Sequence, residues 1–146
     1  MLIDLLSTNP DWTLTLVRIV LGIVFFAHGA QKLLGWFGGS GLKATVGFMH
    51  GSLGLPVPLA FVAVGAEFLG GLGLIVGLLG RVAAAGIAVN MLVAIVMVHR
   101  RYGLFLNWFG DKEGNGYEFH LLAIALAVAI IVNGSGAASL DHLIIG

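Results

Sequence analysis

Glu67 stands inside an apolar run, Val57 to Leu79, that is long enough to cross a bilayer. A carboxyl group at that depth must find a cation, a proton or a water-lined cavity, so it marks a functional site by default. The preceding apolar run carries His28 and Lys32, which are four apart and therefore share one helix face. His99 closes a third run, and Glu118 and His120 open a fourth. Imidazoles and a carboxyl exchange protons near neutral pH, while histidine and lysine donate hydrogen bonds to carbonyl oxygens. Such a set suits a proton relay, or the grip on a small polar head group in apolar surroundings.

The composition sets these groups in lipid. Of 146 residues 59% are hydrophobic and only 10% charged, with a mean hydropathy of +1.05; a water-soluble domain carries about 25% charged residues. The 23 glycines would weaken helices in water, but in a bilayer they let helices approach closely. Net charge is zero and no basic run occurs, which argues against a nucleic-acid partner. With no cysteine, disulfides, iron–sulfur clusters and Cys-based zinc sites are excluded, and no metal site is expected. Redox work would need a bound cofactor or a partner protein.

Four spans follow from the rule that about 20 residues cross the hydrocarbon core. The first runs from Trp12 to Leu34 behind the helix-starting pair Pro10 and Asp11, and with Arg18 and His28 inside it is too polar for a cleaved signal. The second runs from Val57 to Leu79, and Arg81 opens a third that continues to His99, so the two form a tight hairpin. The fourth extends from Tyr117 to Asn133, before Gly134-Ser135-Gly136. The expected fold is an all-α membrane protein, a single domain built as an antiparallel four-helix transmembrane bundle. A soluble helical protein is the alternative, but no run shows a sustained polar face.

Two connections are long. In Gly35 to Leu55, the residues Leu42, Val46, Phe48 and Met49 with Lys43 and His50 fit a short interfacial or re-entrant helix, either a lid or a tether. Arg100 to Gly116 carries Tyr102, Phe105, Trp108 and Phe109 among charges, which reads as interfacial anchoring before any stacking role. Lys32, Lys43, Arg100, Arg101 and Lys112 lie on the side of these loops, against Arg81 on the side of the termini. The positive-inside rule then puts both termini outside and both loops in the cytoplasm.

The antiparallel arrangement assigns depths. His28 lies about 9 Å from the loop end of the first span and Glu67 about 15 Å into the second from that same side. His28, Lys32, Glu67, His99, Glu118 and His120 thus converge on one half of the bundle, whereas Arg18 and Arg81 are isolated cations in the other half, free to snorkel. Helical phase narrows the set: of Glu118 and His120 only one faces inward, and Asn90 and His99 fall on opposite sides of the third span. Asn90 is either glue between helices or a ligand contact. The stripe Arg18, Gly22, Phe25, Gly29 leaves room for a neighbouring helix or a flat ligand. Ala63, Gly70 and Gly71 similarly lower the bulk around Glu67, and Gly73 and Gly77 form a GxxxG that a second copy of the chain could use.

Taken together, Arg18-Ile19-Val20-Leu21-Gly22, His28-Gly29-Ala30-Gln31-Lys32-Leu33, Ala66-Glu67-Phe68-Leu69-Gly70-Gly71, Gly77-Leu78-Leu79-Gly80-Arg81 and Asn90-Met91-Leu92-Val93-Ala94 leading to His99 resemble the DoxX family of small bacterial and archaeal four-span membrane proteins. The resemblance covers nearly the whole chain. It implies a plasma-membrane location and a link to quinones or to redox and detoxification partners, and it puts Arg18, His28, Lys32, Glu67, Arg81 and His99 on the family's recurrent polar positions. No sulfur-binding motif accompanies it.

The leading expectation is a redox-associated subunit that takes a quinone or another small apolar substrate between helices, in contact with membrane lipid and a redox partner protein. His28 and Glu67 are the candidate catalytic residues, with Arg18, Lys32, His99 and Glu118 joining them around the cofactor. His28 and Lys32 would act as donors and Glu67 as proton acceptor or relay. Two further readings use the same residues: a proton-coupled permease for a small solute, and an assembly factor whose polar residues hold helices together.

Overall fold

The computed structural model describes residues 1–145, which are helical or loop, with no strand among them. Helix α1 (Leu2–Leu6) precedes α2 (Trp12–Leu34), which starts where expected because the Asp11 carboxylate accepts from Leu14 N at 2.9 Å. Then come α3 (Gly41–Gly51), α4 (Val57–Val76), α5 (Gly80–Ala94), α6 (Glu118–Asn133) and α7 (Leu140–Ile145). Helices α2, α4 and α5 with its extension to Tyr102 are long and apolar enough to cross a membrane, and α6 is a shorter apolar helix. The chain is therefore a multi-pass, all-helical membrane protein with close to the four-helix bundle that was expected.

The four long helices form a ring, α2 against α4, α4 against α5, α5 against α6, and α6 back against α2. Inside it lie Leu21, Phe25, Leu74, Ala84, Ile87, Ala88, Met91, Ala123, Ala127 and Ile130. Leu16, Val20, Ile23, Val62, Leu69, Val89, Leu92, Leu122 and Val132 point outward and are exposed, the apolar coat that a bilayer requires. The tightest contact is α2 on α4. A Cβ on Gly29 would sit 2.5 Å from the Phe68 backbone, and one on Gly71 would collide with the backbone of Phe26. These glycines serve helix packing, and Gly22 and Gly29 leave no room for a ligand between α2 and α4.

Helix α4 stops at Val76 rather than Leu79, because Gly77 takes a left-handed conformation (φ 72°) and its N–H bonds back to Gly73 O at 2.8 Å. Ser139 covers Gly77 closely, so the GxxxG that was offered to a second copy is closed by the chain itself.

The end of the ring near the termini is sealed, which corrects the expectation of isolated, snorkelling cations. Arg18 is 0% exposed. Its guanidinium donates to Leu74 O and Ile75 O in the last turn of α4, to Ser135 O at 2.7 Å and to Ala138 O at 2.5 Å. Arg81 donates to Ile131 O and Val132 O in the last turn of α6 and to Ser7 O at 3.0 Å. Each arginine thus satisfies carbonyls that a helix C-terminus leaves without partners, at the end where the helix dipole favours a cation. Asp141 does the converse for α5: its carboxylate accepts from Leu79 N at 2.7 Å, Gly80 N at 2.9 Å and Ser135 Oγ at 2.6 Å. Leu79 is left-handed (φ 52°), a conformation costing roughly 1–2 kcal/mol for a side chain of this kind. The Asp141 clamp offsets that cost.

A polar chamber at the loop end of the bundle

At the opposite end the ring opens into two chambers. Glu67, 2% exposed, projects from the middle of α4, and its Oε1 accepts from Lys32 Nζ of α2 at 2.6 Å and from Asn90 Nδ2 of α5 at 2.8 Å. Asn90 Nδ2 also lies 3.4 Å from Ala63 O, so it does tie α5 to α4, and it also fixes the carboxylate. Oε2 of Glu67 is buried with no hydrogen-bond partner among the described residues.

One chamber, of about 470 Å³, is lined by His28, Lys32, Glu67, His99 and His120 together with Phe25 and Phe119. Its aromatic and imidazole rings run as a continuous belt: Phe25 lies 6.5 Å from His28 and both stand near Phe119, Phe119 is 5.5 Å from His120, and His120 is 4.1 Å from His99. His28 is exposed at the rim of this chamber rather than buried. The second chamber, of about 500 Å³, lies under α3, where Phe48 and Met49 face Val93 and Met97, and it shares Lys32, Glu67, Ala94 and His99 with the first. The Gly35 to Leu55 connection therefore forms the expected short helix and serves as a chamber wall.

Two expectations need correction. Asn90 and His99 line the same chamber under α3, because Ile95–His99 is a π-helical turn. Bonds of the i→i+5 type take up one extra residue and rotate the side chains beyond it by about 100°, which brings His99 round. Only one of Glu118 and His120 does face inward, and it is His120. Glu118 instead accepts from Leu106 N at 3.1 Å and Trp108 Nε1 at 3.2 Å, so this candidate cofactor residue holds the Arg100 to Gly116 connection. That connection is ordered further by Gly116 N on Phe105 O and Tyr117 N on Gly103 O, and Asn115 O bonds His99 Nδ1 at 2.8 Å. Arg18, the other outlier of the candidate set, lies in the sealed end, committed to carbonyls.

Of the residues expected at this end or around the cofactor, the structure gathers His28, Lys32, Glu67, His99 and His120, and it leaves Arg18 and Glu118 outside. Phe119 and Asn115 were not anticipated; ring residues beside a polar cluster were the available signal for Phe119, and none pointed to Asn115. No three His, Asp or Glu side chains among the described residues gather as metal ligands. Chemically, the chamber offers a ring-lined space with a buried carboxylate and imidazoles on its walls.

The chain is similar in sequence to known proteins over most of its length. A Bacillus subtilis (strain 168) protein named "Putative oxidoreductase CatD" is 30% identical over 129 residues, covering 88% of this chain and 84% of its own. A Haemophilus influenzae (strain ATCC 51907 / DSM 11121 / KW20 / Rd) protein named "Uncharacterized protein" is 30% identical over 139 residues, covering 94% of each. No solved structure matches the chain significantly. The model of the DoxX family matches residues 13–100, which include Arg18, His28, Lys32, Glu67, Arg81, Asn90 and His99. The chain belongs to the DoxX family.

Proposed function

We propose that this protein is a redox-associated subunit of a bacterial or archaeal plasma membrane that holds a quinone, or another small apolar molecule with a polar head, between its helices. The observation that carries this reading is the ring belt from His28 to His99 facing the Glu67 carboxylate in one chamber. Aromatic and imidazole faces suit a planar head group, and convergent polar groups in an apolar pocket orient it. The oxidoreductase name of the Bacillus relative supports a redox setting. In this reading His28 and Lys32 steady the head electrostatically, and Glu67 accepts or relays its proton. Electrons come from a partner protein, because a chain without cysteine has no thiol couple of its own. Both termini lie outside and both long connections in the cytoplasm.

A second reading, proton-coupled passage of a small solute, rests on one observation: two chambers meet at the Lys32–Glu67 pair. The test that separates the two is mass spectrometry of small molecules and proteins released after gentle solubilisation, alongside binding of added quinone to the reconstituted protein. A quinone in near-stoichiometric amount supports the redox reading. An extract of ordinary phospholipid alone, with no saturable binding of added quinone, would overturn it.

A further inference from the structure

Two buried polar atoms of the imidazole chamber have no hydrogen-bond partner among the described residues, Glu67 Oε2 and His120 Nδ1. Both side chains line that chamber. The first is chemically one-sided. Glu67 Oε1 is already occupied by two donors, Lys32 Nζ and Asn90 Nδ2, and an ionised carboxylate oxygen only accepts. A neutral imidazole nitrogen either donates or accepts, according to tautomer. Lys32, its side chain 31% exposed and flexible along its stem, is a wall residue able to shift as a ligand enters.

We infer that the chamber selects the hydroxyl-bearing, reduced form of an aromatic head group, with one ligand O–H donating to Glu67 Oε2 and a second ligand oxygen pairing with His120 Nδ1. This rests on the proposed function and specifies which form of the ligand the site prefers. A head group with carbonyl oxygens only offers acceptors and leaves Oε2 buried and unpaired, a state proteins avoid. The ring belt offers aromatic faces to the ligand, and Asn90 is a positioning residue that decides which carboxylate oxygen is presented.

The same geometry makes Glu67→Gln informative. Lys32 and Asn90 both donate to the Oε1 position, so the amide oxygen of glutamine takes that place and its NH₂ takes the place of Oε2. The site then offers a donor where it had offered an acceptor, and its preference moves towards carbonyl-bearing ligands.

The test is calorimetric titration of the full chain in lipid nanodiscs with 4-heptylphenol, its methyl ether 4-heptylanisole, and a short-tailed benzoquinone. The phenol should bind about ten- to a hundredfold more tightly than the anisole, the range expected when a buried acceptor is left unpaired. Glu67→Gln should abolish that gap and raise the relative affinity of the benzoquinone, and in a parallel titration with a 4-alkylcatechol His120→Phe should weaken the catechol more than the monophenol. Equal binding of phenol and anisole by the native chain would overturn the inference, and if the benzoquinone still bound saturably the proposed function would survive it. Binding of none of the three would sink both.

Discussion

Lys32 Nζ lies 2.6 Å from Glu67 Oε1, and the pair stands on the wall common to the imidazole chamber and the chamber under α3. One partner is 31% exposed at the side chain and the other 3%, so a flexible, accessible cation neutralises a carboxylate held inside the bundle. The pair also binds α2 to α4, whose register is already set by glycine contacts. Packing and chemistry therefore meet at one place: the close approach of two helices brings an ammonium within reach of a buried carboxylate.

Removing the cation tests that dependence. Lys32→Leu should destabilise the protein by up to about 3 kcal/mol, at or below the low end for breaking a buried pair, since Lys32 is partly accessible. Lys32→Leu combined with Glu67→Leu should recover much of the loss, because no charge is then left buried without a partner. Thermal unfolding in detergent micelles gives both values, and a double variant less stable than the single one would contradict the pairing.

Glycine at the α2–α4 crossing is predicted to control the site from a distance. Gly29→Val places branched carbons where Phe68 backbone already lies, forcing the helices apart by more than a side chain can absorb. Overpacking of this kind costs about 1–3 kcal/mol or more. Folded yield should fall, and a spectroscopic distance between labels on α2 and α4 should lengthen. Gly47→Val, at an open position in α3, should leave that distance unchanged.

The sealed end should behave as a purely structural unit. Asp141→Ala removes acceptors from Leu79 N, Gly80 N and Ser135 Oγ at once. A loss of about 3 kcal/mol or more is expected from several buried donors left unpaired. Arg18→Lys should also destabilise, because an ammonium cannot reproduce the fork that reaches α4 and the segment after α6. Neither change should alter ligand affinity in the fraction that remains folded. A large affinity change in folded Arg18→Lys would return Arg18 to the ligand site.

These outcomes also mark how far the residues could be read before the fold was known. Span positions and the convergence of His28, Lys32, Glu67 and His120 followed from apolar run lengths and antiparallel connection, because depth in a bilayer is fixed by helical rise. Phase was legible only where the helix stayed regular. The phase of His99 relative to Asn90 escaped, since a π turn in Ile95–His99 leaves no distinctive residue pattern and moves everything beyond it. Arg18 and Asp141 escaped for another reason: their backbone partners lie more than fifty residues away in sequence, and no spacing rule reports a backbone N–H or carbonyl. The choice between Glu118 and His120 turned on Leu106 and Trp108 in a connection without periodicity.

Orientation has a direct test that the composition makes clean. The chain has no native cysteine, so a cysteine placed at exposed Asp111 or at exposed Ala138 is the sole thiol in the protein. Position 111 should react with an impermeant maleimide only after the inner face is opened, and position 138 should react in intact cells. The reverse pattern would invert the topology without touching the chamber.

The final prediction concerns proton chemistry at Glu67. Glu67→Gln keeps nearly the same volume and can still bond to Lys32 and Asn90, so the fold should survive, but the titratable carboxyl is gone. If Glu67 relays a proton, quinone-linked turnover in reconstituted membranes should fall by roughly 10²–10⁴-fold, the range for loss of a general acid or base. The residual rate should also lose the pH dependence that the carboxyl imposes. Glu67→Leu removes the hydrogen bonds as well, so it should be at least as inactive and clearly less stable. A glutamate that only holds helices together predicts another pattern, in which Gln is nearly silent and Leu lowers folded yield. Turnover across pH, measured beside the thermal stability of each variant, separates the two roles. Native-like turnover of Glu67→Gln at every pH would leave the chamber intact and remove Glu67 from the proton path.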